Sequence, residues 1–142
     1  MKVLIINGPN LNMLGKREEN IYGKNTYEDL CLQLKHFSNE KNIDIDIFQN
    51  AVEGEIVDKI HQFQNYDGLI INPAAYSHYS IAIYDALLIA KIPKIEVHIS
   101  NVNNRDDFRK NLLTAQAVDG IISGLGFKGY ELALEYIIAI NA

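Results

Sequence analysis

Three side chains in the sequence could together perform acid–base chemistry: Tyr22, Arg17 and His98. A tyrosine acts as a base only where a cation stabilises the phenolate, because the ordinary pKa of the phenol is about 10. Arg17 precedes Tyr22 in the same segment, GKREENIYG. His98 has an ordinary pKa of about 6.5, so it can donate a proton near neutral pH. These groups would suffice to remove a proton next to a carbonyl and to protonate a leaving hydroxyl, which is the dehydration of a hydroxy ketone.

The same residues also have structural interpretations. Tyr22 could stabilise a turn in a Gly-rich segment, and Arg17, between two charged residues, could be a solvated surface cation. His98 alternates with apolar residues in KIEVHIS, as a histidine at a strand end would. Likewise NPAAYSHYS could be a proline turn and a helix start, with Ser77 or Ser80 as the cap. Spacing alone therefore leaves both interpretations open.

Other chemistries have weaker support. The glycines at 8, 15 and 23 do not form G-x-G-x-x-G, and no lysine follows a glycine as in a Walker motif. The first strand ends in Asn7 and Gly8, where a phospho-acceptor domain would carry acids. The histidines at 36, 61, 78 and 98 lack the close spacing of metal ligands. We therefore expect neither a cofactor nor a metal.

The elements that must position these residues alternate between strands and helices. Apolar runs typical of strands occupy residues 3–6, 43–48, 69–71, 95–99 and 121–122. Helical periodicity occupies residues 27–39, 53–64, 80–90, 106–115 and 130–140. This alternation predicts an α/β, flavodoxin-like three-layer sandwich with a five-stranded parallel sheet. Ligands bind at the carboxyl ends of such strands, so we expect a polar pocket there.

Composition limits the remaining classes of function. The chain has 142 residues, 48% of them hydrophobic, which suits one domain over residues 1–142. A formal net charge of -5 argues against nucleic-acid binding. No apolar run is long enough for a membrane span, and a strand begins at the N-terminus where a signal peptide would lie, so we expect a cytoplasmic protein. Cys31 is the single cysteine, and its helical spacing with apolar neighbours predicts a small core residue.

Four motifs closely resemble those of the type II 3-dehydroquinate dehydratases: INGPNLNMLGKREENIYG, INPAAYSHYSIAIYDAL, IEVHISN followed by R..FR, and GLGFKGYELAL. The resemblance covers nearly the whole chain. It implies conversion of 3-dehydroquinate to 3-dehydroshikimate and water, by trans elimination through an enolate, in the shikimate or quinate pathway. It also implies that no cofactor is used and that the protein assembles as a homododecamer, a tetramer of trimers.

The resemblance also implies roles for individual residues. Tyr22 matches the base that takes a proton from C2, Arg17 matches the lid residue that holds the phenolate, and His98 matches the proton donor to the C1 hydroxyl. Asn72 is similar to the residue that binds a bridging water beside the enolate, and Glu96 to the acid that orients the site. Further matches to substrate contacts are Asn10, which shapes the water pocket, His78, Ile99, Ser100, Arg109, and Asp85, which reaches a neighbouring subunit's site.

Some positions depart from the family pattern. Glu19 replaces a common proline in the lid, which should loosen its open state. QNAVEGE replaces QSNxEGE after the second strand, and FRKNL replaces FRHHS. Ala74 replaces the glycine of NPGAY, so we expect a backbone conformation that a non-glycine residue can adopt.

Two rival hypotheses remain. One is a lysine Schiff-base mechanism, as in the unrelated type I dehydratases, although no lysine occupies the required strand interior. The other is a non-catalytic small-molecule binding or scaffold protein, which the altered QNAVEGE loop motivates.

Overall fold

The sheet of this protein has five parallel strands, seen in a computed structural model that describes residues 1–16 and 18–142, with positions 19 and 22 described by their backbone alone. The strands are β1 (Lys2–Asn7), β2 (Asp44–Gln49), β3 (Gly68–Asn72), β4 (Lys94–His98) and β5 (Gly120–Ser123). Their spatial order is β2-β1-β3-β4-β5, and every pair is parallel. This order is that of the flavodoxin-like folds, so the predicted fold class is confirmed.

Helices cover both faces of the sheet. They are α2 (Tyr27–Lys41), α3 (Glu53–Ile60), α4 (Ile81–Ile89) and α5 (Lys128–Asn141), while the short helix α1 (Glu19–Tyr22) lies in the segment between β1 and α2. Side chains of a strand alternate between faces. Val3 and Ile5 of β1 accordingly belong to the core beneath α2 and α5, and Leu4 and Ile6 to the core beneath α3 and α4. Both cores exclude water, which makes the sheet the middle of three layers.

The segment of residues 8–26 begins with core residues and ends at a helix cap. Leu11 and Leu14 are buried around a 3-10 turn (Leu11–Met13), so the first part of the segment belongs to the core. At the other end Thr26 caps α2: its Oγ1 accepts from the backbone N–H of Asp29 at 3.1 Å, and the Asp29 carboxylate accepts from the N–H of Thr26 at 2.9 Å. This reciprocal pair confirms the predicted helix start. Cys31 in α2 is half-buried, less than the predicted core position, and burial raises its pKa.

The helix predicted for residues 106–115 is wrong. Between β4 and β5 the described chain forms three 3-10 turns instead, at Val102–Asn104, Asp107–Lys110 and Thr114–Ala117. Asn111 has extended backbone, and its carbonyl accepts from the ring of His78 at 2.8 Å, 33 positions away. That long-range bond uses an acceptor that an α-helix would need, so the segment forms a wall beside the sheet.

Ala74 has φ 55°, in the left-handed region that favours glycine. The expectation of a backbone conformation suited to a non-glycine residue therefore fails at this position. Ala74 begins a 3-10 turn (Ala74–His78) two positions after the last residue of β3. The strained residue therefore lies beside the carboxyl end of that strand.

Among the described residues, no helix combines the length and apolar character that crossing a membrane requires.

Candidate active site

A polar cavity lies at the carboxyl ends of β1, β3 and β4, where the connections from β1 and β3 leave toward opposite faces of the sheet. Such a topological switch point is where ligands bind in open α/β sheets. Its wall contains seven of the residues predicted from sequence: Asn10, Asn72, His78, His98, Ile99, Ser100 and Arg109. The other lining residues are Pro9, Leu11, Ala74, Ala75, Val102 and Arg105. The predicted substrate contacts are thus brought together, apart from Asp85.

The floor of the cavity is formed by the ends of two neighbouring strands. Asn7 ends β1 and Asn72 ends β3, and the two are register partners in the sheet. Both are buried. The N–H of Gly8 donates to the carbonyl of Asn72 at 2.8 Å, and a Cβ at Gly8 would lie 2.5 Å from the carbonyl oxygen of Pro73. Glycine at this position lets the two backbone segments approach each other closely at the floor of the cavity.

His98 and Glu96 form a buried pair on β4. His98 is 6% exposed and Glu96 is fully buried, and His98 Nε2 lies 2.7 Å from a Glu96 carboxylate oxygen. Because a carboxylate only accepts, Nε2 carries a hydrogen and Nδ1 is the nitrogen left to exchange a proton with a ligand. Thr114 donates its hydroxyl to the other Glu96 oxygen at 2.5 Å. Glu96 thereby orients His98, and Thr114 orients Glu96.

His78 presents a second imidazole to the cavity. Its Nδ1 lies 2.8 Å from the carbonyl oxygen of Asn111, so Nδ1 donates and Nε2 is an acceptor in the neutral ring. Burial lowers the pKa of His78, the bond to the Asn111 carbonyl opposes this effect, and the nearby His98 and Arg109 side chains lower the pKa further. His78 is therefore neutral at pH 7, which suits an acceptor for a ligand hydroxyl.

Two arginines line one side of the cavity, and each lies beside a carboxylate. Arg109 Nε donates to Asp106 at 3.4 Å, and Arg105 lies 3.6 Å from a Glu18 carboxylate oxygen. Guanidinium groups bind carboxylates through planar paired donors, so this side suits an acidic ligand. The resemblance predicted Arg109 as a substrate contact, and Arg105 is the first arginine of the R..FR motif.

Three predicted residues are not placed at the cavity. The side chains of Arg17 and Tyr22 lie outside the described residues. The backbone of Tyr22 ends the short helix α1, and Glu18, Asn20 and Ile21 line an open cleft beside the cavity. Asp85 lies on the exposed face of α4 and is not among the lining residues.

Sequence reasoning missed four residues that support the site: Asn7, Thr114, Asn111 and Tyr130. Asn7 carried a signal, because a polar residue ending a fully apolar strand is unusual in a buried parallel sheet. The others reach the site through contacts between segments far apart in the chain, such as the bond between Tyr130 and Asn7, 123 positions apart. Short-range patterns in the sequence do not predict contacts of this kind.

Within the described part of the chain, no group of three or more His, Cys, Asp or Glu side chains could hold a metal ion. The polar groups that line the cavity are imidazole, amide, hydroxyl and guanidinium groups.

The fold and the site define an α/β enzyme with acid–base groups at its sheet edge. A family model described as "Dehydroquinase class II" matches residues 1–138. The chain belongs to this family, type II dehydroquinase, and is a hydro-lyase.

Individual relatives agree with the family assignment. The chain is 51% identical over 142 residues to a 3-dehydroquinate dehydratase of Thermotoga neapolitana, covering 100% of this chain and 97% of that protein. It is 52% identical over 138 residues to a 3-dehydroquinate dehydratase of Clostridium botulinum, covering 96% and 93%. The crystal structure of type II dehydroquinase from Butyrivibrio crossotus superposes with a TM-score of 0.95 at 50% identity, covering 97% of both chains.

Proposed function

We propose that the enzyme converts 3-dehydroquinate to 3-dehydroshikimate and water by trans elimination through an enolate. The observation that carries this proposal is the buried Glu96–His98 pair at a cavity that also holds Asn72 and two arginines. An acid held in a fixed orientation beside amide and guanidinium donors suits the loss of a hydroxyl from a hydroxy ketone that carries a carboxylate. The names of the relatives indicate the same substrate.

In the proposed first step the Tyr22 phenolate removes a proton from C2. The electron pair of the broken C–H bond moves toward the ketone, whose oxygen becomes an enolate. Arg17 stabilises the phenolate before the proton moves. Asn72 binds a bridging water beside the enolate oxygen, in a pocket that Asn10 shapes, where hydrogen-bond donors lower the energy of the developing charge.

In the proposed second step the enolate re-forms the ketone and expels the C1 hydroxyl. His98 gives this hydroxyl the proton on Nδ1, so that it leaves as water. Glu96 accepts from the opposite nitrogen of the ring and so holds His98 in one orientation for the transfer. Arg109 binds the substrate carboxylate, and His78, Ser100 and Ile99 contact the remainder of the ring.

We further propose a homododecamer, a tetramer of trimers, in which Asp85 reaches the site of a neighbouring subunit. The support is the outward face of α4, where the apolar residues Ile81, Leu88 and Ile89 are exposed next to Asp85. Such an apolar stripe suits burial against another subunit. The proposed location is the cytoplasm, and the proposed pathway is the shikimate or the quinate pathway.

The test of the reaction is the growth of conjugated-enone absorbance after 3-dehydroquinate is added to the purified protein. Turnover without any added metal or cofactor is the expected result. Binding of 3-dehydroquinate by folded protein without turnover would support the non-catalytic alternative instead. Inactivation by borohydride in the presence of substrate would indicate a lysine Schiff base.

The test of the proposed base compares Tyr22→Phe and Arg17→Ala with Tyr79→Phe, a control at an exposed tyrosine. The first two variants should lose turnover while their circular dichroism stays that of the wild type, because one lacks the phenolate and the other lacks the cation that stabilises it. Tyr79→Phe should keep the wild-type rate. A Tyr22→Phe enzyme with a near-normal rate would show that another group is the base.

A further inference from the structure

A chain of buried hydrogen bonds runs from the cavity floor into the layer of α2 and α5. The Asn72 amide oxygen accepts from the N–H of Ala74 at 3.1 Å, and its amide nitrogen donates to the Tyr130 hydroxyl at 3.0 Å. Tyr130 donates to the Asn7 amide oxygen at 2.7 Å. The Asn7 nitrogen in turn lies 3.4 Å from the hydroxyl of Tyr27. We refer to Asn72, Tyr130 and Asn7 as the floor network.

The direction of every bond in the floor network follows from its first member. A backbone N–H can only donate, so the Asn72 side chain must present its oxygen to Ala74 and its nitrogen to Tyr130. The Tyr130 oxygen accepts this hydrogen bond, and the Tyr130 hydroxyl donates its own hydrogen to the amide oxygen of Asn7. Bonds that point the same way along a chain polarise and strengthen one another in a low-dielectric interior. The network therefore has one orientation, set from the cavity edge inward.

Tyr130 occupies the centre of this network and is inaccessible to solvent. It lies in the first turn of α5 and is fully buried. Burial raises its pKa well above the usual value for tyrosine, so its hydroxyl keeps its hydrogen at any working pH. The proposed reaction gives Tyr130 no direct role, and the residue does not line the cavity.

We infer that Tyr130 is a positioning residue for Asn72: by accepting one N–H of the Asn72 amide, it holds that amide so that the second N–H faces the cavity. This inference rests on the proposed function, because the second N–H would serve the negative charge that develops on the substrate oxygen. A donor that is already oriented needs no reorganisation during the reaction, which is where its catalytic value lies. Helix α5 thus contributes to the site without touching the ligand.

The experiment compares Tyr130→Phe with two tyrosine controls. Tyr66→Phe removes another largely buried hydroxyl, bonded to Asp46 at 2.7 Å at the opposite end of the sheet. Tyr27→Phe removes the link beyond Asn7 and leaves the Asn72–Tyr130 bond intact. Steady-state kinetics with 3-dehydroquinate, thermal unfolding and atomic-resolution crystal structures are obtained for all variants and for the wild type.

We expect kcat of Tyr130→Phe to fall by about 10- to 100-fold with KM nearly unchanged, because a misplaced donor weakens transition-state stabilisation more than ground-state binding. Both controls should keep kcat within about two-fold of the wild type. The Asn72 amide should be rotated or disordered in the Tyr130→Phe crystal and fixed in the controls. A structural role alone would lower the unfolding temperature of Tyr130→Phe and of Tyr66→Phe without this split between kcat and KM.

Unchanged kcat in folded Tyr130→Phe, or an Asn72 amide that stays in place in its crystal, overturns the inference. If Tyr130→Phe does not fold, the wild-type crystal decides: an amide oxygen, rather than nitrogen, facing Tyr130 overturns it. If the wild-type enzyme shows no turnover, the proposed function fails, and the orientation of the Asn72 amide in the wild-type and Tyr130→Phe crystals still supports or overturns the positioning role.

Discussion

Glu96 is buried in the sheet with a partner on each carboxylate oxygen, His98 on one side and Thr114 on the other. A buried carboxylate is stable only when such partners replace the water that it has lost. The arrangement fixes the orientation of the His98 ring and places a hydrogen on its Nε2. Glu96 does not line the cavity, yet it orients His98, which does.

Replacing Glu96 with glutamine tests this control at the residue scale. Glu96→Gln keeps the size of the side chain, but its single amide oxygen cannot accept from both His98 and Thr114, so His98 loses its fixed orientation and kcat should fall by about 100-fold. Steady-state kinetics measure this loss, and Glu135→Gln, at an exposed position on α5, is the control. Equal kcat values for Glu96→Gln and the control would show that His98 does not depend on the carboxylate.

Ala74 lowers the stability of the fold, because its backbone lies in the left-handed region. The left-handed conformation costs an alanine about 1–2 kcal/mol of folding free energy. Glycine avoids this strain, and the entropy that glycine adds to the unfolded chain destabilises the fold by less than that amount. Ala74→Gly should therefore raise the free energy of unfolding by about 1 kcal/mol, measured by urea denaturation. Ala75→Gly is the matched control, because Ala75 is not among the described residues with positive φ and should lose stability instead. A loss at both positions would contradict the strain at Ala74.

At the scale of elements, Ser80 joins two helices on one face of the sheet. Its hydroxyl oxygen accepts from the N–H of Ile83 at 3.0 Å, which caps α4, and the same hydroxyl donates to Glu53 of α3 at 2.6 Å. The two caps therefore differ. Thr26 caps α2 alone, whereas Ser80 caps α4 and also bonds to α3.

The two caps give a matched comparison. Thr26→Ala should cost about 1 kcal/mol of unfolding free energy, the usual value for a lost cap. Ser80→Ala should cost about 2 kcal/mol, because it also leaves a Glu53 oxygen without its donor. Urea denaturation of both variants measures the difference. Equal losses would show that the Ser80–Glu53 bond contributes nothing beyond the cap.

Sequence predicted the elements wherever the signal was local. Buried parallel strands have continuous apolar runs, and the helical periodicity of residues 27–39 marked the start of α2. The helix predicted for residues 106–115 failed because the apolar residues there have helical spacing, yet Phe108 is 67% exposed and Asn111 bonds to a distant histidine. The site residues at strand ends could be predicted because parallel strands bring their carboxyl ends to one edge. Tyr130 could not, because its partner Asn7 is 123 positions away.

At the scale of the whole molecule, the exposed face of α4 connects the single subunit with the proposed assembly. Ile81 is 63% exposed, and Leu88 and Ile89 are exposed on the same short helix. α3 and the sheet cover only its inner side, where Ile83 and Leu87 are buried. Apolar residues on both sides of a helix indicate that it packs against something on each.

Assembly is tested by the mass of the protein in solution. Light scattering should give twelve times the 16.1 kDa mass of one chain. Ile89→Lys should reduce that mass, because a lysine at an apolar contact must lose its hydration. Leu32→Lys, at an exposed leucine of α2, is the control and should keep the wild-type mass. A wild-type mass equal to one chain would contradict the assembly.

The three 3-10 turns between β4 and β5 have a consequence for how this enzyme can change over evolution. They form one wall of the cavity, yet the described residues 102–117 include no long helix whose packing register must be preserved. Short turns accept substitutions and insertions more readily than a packed helix does. Ligand preference can therefore diverge in this wall at positions other than Asn111 and Thr114, which hold His78 and Glu96, while Asn7 and Asn72 at the strand ends retain their places.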